Sequence, residues 1–270
     1  MSVVVPVSAE WLTLREDADA RSRSRALAVQ AAEMVGAPLI VHDLGSGTGS
    51  MMRWLAPLLP GPQTWVLHDW NHALLERAAA QPVLDGTGVP TTVRTNVEGL
   101  ELLRASTLAG ASLVTTSALL DVLARDEIEA IVRACVAAGA PVLFGLSVTG
   151  GVQLDPADPG DHVFQAAFND HQRRTAHGRR LLGPDAVGVA TDLFRSAGWS
   201  VRVAETPWVL DAADRVLVEE WMRDRLTAAV QERPALREWA AEYAARRAAQ
   251  LAGAGLGVVV HHQDILAWRA

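Results

Sequence analysis

Asp43, Gly45, Gly47 and Gly49 stand at alternate positions in the stretch HDLGSGTGS, residues 42–50. Glycine at three such positions lets a backbone turn tightly and approach a ligand closely. Ser46 sits inside the turn. An apolar run, PLIVHDL at 38–44, leads into the loop, and a helical pattern at 50–58 leaves it. The free N–H groups and the positive dipole end of that helix point back at the same spot. A second run, TWVLH at 64–68, ends in Asp69, 20 residues past Gly49. An acid there can accept hydrogen bonds from the two hydroxyls of a ribose. The chemistry on offer is therefore a seat for a nucleoside-bearing cofactor.

Which cofactor turns on spacing. A dinucleotide fingerprint reads G-x-G-x-x-G. Here the glycines read G-S-G-T-G, position 50 is Ser, and an acid precedes the first glycine by two residues. That acid would repel a pyrophosphate and suits a ligand that carries an ammonium and a sulfonium. The D-x-G-x-G-x-G pattern resembles motif I of class I S-adenosylmethionine-dependent methyltransferases. The resemblance extends over most of the chain, and the segments WLTLRED, FNDHQ and VVVHHQDILAW look like a group of bacterial small-molecule members. It implies S-adenosylmethionine as cofactor and a small-molecule acceptor methylated on O or N. It also implies roles: Trp70 against the adenine, Asn96 and Val97 at the adenine edge, and Thr115, Thr116 and Ser117 beside the methionine part. Two other readings stay open, an NAD(P)-dependent oxidoreductase and a non-catalytic S-adenosylmethionine-binding protein.

The elements that must position these residues follow from periodicity. Further strand-like runs lie at 91–95, 112–117, 140–147, 199–205 and 256–267. Helical patterns at 23–35, 50–58, 72–80 and 126–138 alternate with the earlier ones. Such alternation predicts an α/β fold, a mostly parallel sheet with helices on both faces. Ligands bind such sheets at the carboxyl ends of the strands. The resemblance makes this a Rossmann-like sheet of seven strands, with 256–267 antiparallel to 199–205 and a helical insert at 211–254 before it. The whole chain, 1–270, reads as one domain: a helical lid over 1–36, a core over 37–210 and 255–270, and that insert. Val218, Met222 and Leu226 mark one helix of the insert and Ala240 and Tyr243 the next, with Pro234 between them. Residues 148–184 read as a long, polar, irregular segment, usually functional or mobile.

The acceptor side has its own candidates. If 163–174 is helical, Phe164 and Phe168 face inward, followed by His171 or Gln172. His171 is a candidate general base. Asp121, after the fourth run, is a second catalytic candidate. Asn169, Gln172, Arg173 and Arg174 are candidates for binding an acceptor, the arginines through its carboxylate or phosphate. Arg15, Asp19 and Arg23 repeat every four residues, which reads as an exposed ion-pair ladder, or else as a lid helix whose arginine meets a cofactor carboxylate. Trp11, Trp221 and Trp239 fall on elements that would cover the open end of the sheet.

Composition excludes other classes. The net charge is -7, so a phosphate-backbone partner is disfavoured. All 24 basic residues are arginine. No apolar run reaches the roughly 18 residues of a membrane span, and the start of the chain lacks a secretory pattern, which makes cytoplasm the default. Cys135 is the single cysteine, a small core residue rather than part of a disulfide framework. His261 and His262 are adjacent on a strand and point to opposite faces, so no metal site is assigned. A homodimer is admitted by the sequence but not required.

Overall fold

Nearly continuous burial along the central strands places the sheet between two helical layers. In the computed structural model, residues 7–253 and 255–269 are described. The chain begins with α1 (Ala9–Ser22), α2 (Arg25–Met34), β1 (Leu39–Leu44), α3 (Ser50–Leu55), β2 (Gln63–Asp69), α4 (His72–Ala79) and β3 (Thr92–Val97). It continues with β4 (Leu113–Ser117), α5 (Arg125–Ala138), β5 (Val142–Asp155) and α6 (Asp161–Gln172). A short hairpin, β6 (Thr175–Ala176) and β7 (Arg179–Arg180), precedes α7 (Ala186–Ser196), β8 (Trp199–Glu205) and β9 (Trp208–Leu210). The chain closes with α8 (Arg215–Glu232), α9 (Arg237–Ala252) and β10 (Gly257–Arg269).

The main sheet runs β3-β2-β1-β4-β5-β10-β8, and β9 also pairs with β10. Strands β1 to β5 are parallel, and β10 is antiparallel to both β5 and β8. Leu39, Val41, Leu67, Leu113, Leu143 and Leu266 face α2, α3 and α4 on one side. Their sequence neighbours Val114, Val142, Phe144, Ile265 and Ala267 face α5 and α7 on the other. That is the period of two expected of strands buried on both faces. A third cluster, with Phe164, Trp208, Trp221 and Tyr243 at its centre, joins α6, α8 and α9 to the far halves of β5 and β10. Strand order reverses between β1 and β4, which opens a crevice outside their carboxyl ends.

Residues 148–184 are not an irregular segment. The strand β5 runs on to Asp155, α6 follows, and β6 and β7 close the stretch. Gly150 and Gly151 read as loop glycines, yet they sit where β5 bulges against β10, between the pairs Val260–Val152 and His262–Val148. A bulge accepts glycine and bends the strand without ending it. The helix α7, over AVGVATDLFRS, also went unrecognised in the sequence.

A second irregularity lies between the pairs Gln263–Ser147 and Ile265–Phe144, where Leu146 takes φ 54. Asp264 secures it. Its carboxylate accepts from Leu146 N at 2.7 Å, Thr206 Oγ1 at 2.9 Å and Ser24 N at 2.8 Å. One buried side chain thus binds the bulge, the turn after β8 and the start of α2. Asp264→Asn keeps the Leu146 and Thr206 donors on its one oxygen and sets an N–H₂ against the N–H of Ser24. Its expected cost is about 2 kcal/mol in a urea titration. An unchanged midpoint would remove the bolt from the account.

Candidate active site

The glycine loop lies where β1 hands over to α3. Gly45, Gly47 and Gly49 have φ of 64, 52 and 85, a region that side chains with a Cβ rarely enter. The surroundings are tight as well. A Cβ on Gly45 would lie 3.0 Å from Leu119, and one on Gly47 would lie 3.0 Å from Leu12. The loop is therefore held between α1 and the segment after β4. Arg53 of α3 strengthens the first contact, donating to Glu16 at 2.6 and 2.7 Å. Ala118, just past β4, takes φ 53, strained for a non-glycine and of the kind that gathers at functional sites.

Two acids meet at this loop. Asp69 accepts from Gly47 N at 2.9 Å and from Asn71 N at 2.8 Å. Its carboxylate is locked against the loop by backbone donors, and burial still pushes its pKa up. Asp43 is 1% exposed. Its Oδ1 accepts from Thr115 Oγ1 at 2.8 Å, while Oδ2 has no partner, and neither does Ser46 Oγ. Unpaired buried acceptors of this kind mark a missing ligand atom more often than a defect.

Burial raises the Asp43 pKa to about 6, against the pull of the Thr115 hydroxyl and the Arg23 charge. A raised carboxyl pKa means that the unfolded chain ionises first. The stability this group contributes is complete below about pH 4 and is lost as pH rises through about 6, a change of about 3 kcal/mol. Asp43→Asn cannot titrate. The stability of the wild type minus that of the variant should fall by that amount over this window. A flat difference in parallel pH titrations of thermal unfolding would contradict it.

Arg23 sits beside Asp43. Its guanidinium donates to Ser50 Oγ and Ser117 Oγ, each at 3.0 Å, and lies over the Trp54 ring at 5.6 Å. It is 4% exposed, and burial lowers its pKa. The exposed-ladder reading of Arg15, Asp19 and Arg23 is thus overturned. Arg15 pairs with Asp19 at 2.9 Å, the Trp208 indole donates to Asp19 at 2.9 Å, and all three ladder residues are largely buried. The alternative is a lid helix whose arginine meets a cofactor carboxylate; the structure puts Arg23 at the carboxyl end of β4, donating to Ser117.

No protein-family model and no curated protein matches the chain. Among solved structures, it is similar to a putative type II methyltransferase from Anaeromyxobacter dehalogenans. The TM-score is 0.53 at 19% identity, over 92% of this chain and 97% of that one. It is also similar to a mycolic acid cyclopropane synthase complexed with SAH and CTAB, with TM-score 0.50 at 13% identity over 90% of this chain and 83% of that one. The chain has the class I methyltransferase fold. The sheet order and the antiparallel β10 are those of this fold, and the glycine loop lies at the carboxyl end of β1.

On that edge of the methyltransferase fold, Trp70 is 45% and Val97 46% exposed, at the rim beyond Asp69. Asn96 donates to His68 Nδ1 at 3.1 Å, and His68 Nε2 lies 2.9 Å from His42 Nδ1. The amide donor assigns the His68 proton to Nε2, so the pair reads as Asn96→His68→His42 across three strands. Burial holds the pKa of His68 down at about 4. Both rings are therefore neutral and structural at pH 7. Thr116 is turned inward, donating to Leu44 O at 2.8 Å, whereas Ser117 meets Arg23.

The acceptor-side candidates divide. Gln172 donates to Asp121 Oδ2 at 3.2 Å, and Asp121 stands two residues past Leu119, which touches the loop. Burial raises the Asp121 pKa, opposed by the charges of Arg15 and Arg225. His171 is on the neighbouring face of α6. Its Nδ1 has no partner, Glu232 lies 3.9 Å away, and burial with the Arg174 charge holds its pKa at about 4. Arg173 pairs with Asp185 at 2.7 Å, Arg174 donates to His171 O at 2.9 Å, and Asn169 to Gly150 O at 3.0 Å. Of these five candidates, three on α6 and two just past it, only Gln172 is seen to join Asp121. A groove of about 870 Å³ between α8 and α9 is lined by none of these residues.

Arg225 went unremarked in the sequence. It lies over Phe168 at 4.8 Å and over Trp221 at 4.6 Å. The signal was there as Trp221 and Arg225 at four-residue spacing, hidden because Val218, Met222 and Leu226 gave the helix a sufficient apolar stripe. Among the described residues, no helix is long and apolar enough to cross a membrane, and no group of three or more His, Cys, Asp or Glu is placed to hold a metal ion.

Proposed function

We propose that the protein transfers the methyl group of S-adenosylmethionine to an oxygen or nitrogen of a small molecule. The observation that carries this reading is the buried Asp43 carboxylate with one unpaired oxygen, set beside a glycine loop that Asp69 grips from the other side. The donor set fits the cofactor and fits a dinucleotide poorly. A pyrophosphate would face two carboxylates, while an ammonium and a ribose diol would satisfy them. Bound here, the cofactor would supply a methyl group already activated on a sulfonium.

The protein's own residues then do four things. Asp69, oriented by the N–H groups of Gly47 and Asn71, keeps lone pairs free for hydroxyls. Asp43 and Ser46 offer buried acceptors at the loop, and Arg23 offers a cation facing them. Asp121, with its pKa raised and its carboxylate steered by Gln172, takes the proton from the acceptor hydroxyl or amine. The layer of α1, α6 and α8 excludes water and holds the nucleophile in line, which is most of what displacement from a sulfonium requires. Two structural neighbours support the cofactor: one is a putative type II methyltransferase and the other was crystallised with SAH.

Calorimetric titration of S-adenosylmethionine, S-adenosylhomocysteine and NAD into the purified protein tests the proposal. Binding of the first two at micromolar concentrations, with none of the third, is the expected result. Binding of NAD alone would convert the reading to a nicotinamide enzyme.

A further inference from the structure

Near Asp121 lies a cation that forms no hydrogen bond or salt bridge among the described residues. Arg225 Cζ lies over the rings of Phe168 and Trp221, 4.8 and 4.6 Å from their centroids. Its Nε has no hydrogen-bond partner. Among the described residues it forms no salt bridge. The nearby charges are Arg15, Asp121 and Asp224; the first disfavours its ionisation and the other two support it. Asp224 is the next residue on α8 and is exposed, and Arg15 is already spent on Asp19. Gln172 Oε1, on the helix that carries Phe168, and Trp221 Nε1 are buried without partners too. These three unpaired groups belong to elements that meet above Asp121.

An arginine held against aromatic rings keeps its N–H donors at the guanidinium edge, where they suit an oxyanion in its plane. Arg225 as a whole is half-buried, but its Nε is withdrawn from water without gaining a partner, which is costly. A ligand oxyanion reaching the guanidinium would supply that partner. We propose that Arg225 binds a carboxylate of the methyl acceptor, so that the substrate is a small organic acid held by its anionic end while Asp121 faces its nucleophile. The inference rests on the methyltransferase reading, since it specifies what that site accepts. It differs from the assignment of Arg173 and Arg174 to the same task, because those arginines already have partners.

The test uses matched acids and amides with the full-length protein saturated with S-adenosylhomocysteine: benzoate and benzamide, salicylate and salicylamide, anthranilate and 2-aminobenzamide. Affinities are measured by calorimetry for the wild type, Arg225→Met and Arg225→Lys. At least one acid should bind the wild type roughly tenfold more tightly than its amide, the span of a hydrogen bond to a charged group. Arg225→Met should erase that preference, and Arg225→Lys should retain part of it. The methionine still stacks on the aromatic rings, so the melting temperature should not fall, and affinity for S-adenosylhomocysteine should stay within about twofold by the same arithmetic. No preference for any acid, a preference that survives in Arg225→Met, or a lower melting temperature in that variant would each overturn the proposal. If the wild type does not bind S-adenosylhomocysteine, the methyltransferase reading fails instead, and the acid–amide comparison on the free protein still decides the anion site.

Discussion

Arg23→Met should lower the folding stability at pH 7 by about 3–5 kcal/mol, the cost of stranding buried charges after their partner is removed. The guanidinium lies near three carboxylates that are almost wholly buried, Asp19 at 4%, Asp43 at 1% and Asp264 at 2% exposure, of which Asp19 is also paired with Arg15 at 2.9 Å. It also donates to Ser50 and Ser117, tying α3 to the end of β4. Without it Asp43 and Asp264 must ionise with no cation beside them or take up protons. A urea titration at pH 7 and again at pH 5 separates electrostatics from packing. Asp43 has its pKa near 6 already, and losing Arg23 raises it further, so at pH 5 it is protonated and costs nothing. The deficit should therefore shrink at pH 5. An equal deficit at both values would make Arg23 a packing residue only. The same variant should bind S-adenosylhomocysteine weakly, because the cation facing the loop is gone.

The parts of this site that were legible in the sequence are those written over short stretches of chain. The run into Asp43, the three glycines and the step to Asp69 all lie within 38–69, and each needs only a turn, a helix start or a strand end to be understood. The roof was less legible because its logic is long-range. Asp19 is buried by Trp208, 189 residues further on, and nothing near position 19 announces it. An Arg–Asp–Arg ladder at four-residue spacing looks like a solvated face until the neighbours arrive. The stretch 148–184 was misread for a related reason. Gly150, Gly151 and the DPADPG sequence punctuate like a loop, but β10 pairs with β5 through the glycines and recruits them into the strand. Tertiary pairing overrode local turn chemistry. His171 and Gln172 were both admissible on the inner face of α6, since a helical pattern fixes a face only to within a residue. The structure turns Gln172 to Asp121 and leaves His171 beside Glu232.

Asp69→Ala should weaken S-adenosylhomocysteine binding by roughly 100-fold or more, two hydrogen bonds to a charged acceptor being worth about 3 kcal/mol or above together. The carboxylate has two tasks, and the variant ends both. It would no longer accept from a ribose diol. It would also release Gly47 N and Asn71 N, which it now holds at 2.9 and 2.8 Å. Gly47 is at φ 52, so the loop relies on such contacts to keep its shape. Asp69→Asn separates the tasks. The amide oxygen can keep one backbone donor and one hydroxyl, and its N–H₂ must face the other donor, so binding should fall by an intermediate factor of about ten. Apo stability should fall little in either variant, because burial already makes the Asp69 charge unfavourable. Calorimetry on both variants, with circular dichroism to verify folding, measures the outcome. A folded Asp69→Ala protein that binds S-adenosylhomocysteine as the wild type does would remove the acid from the cofactor site and leave Asp43 as its only carboxylate.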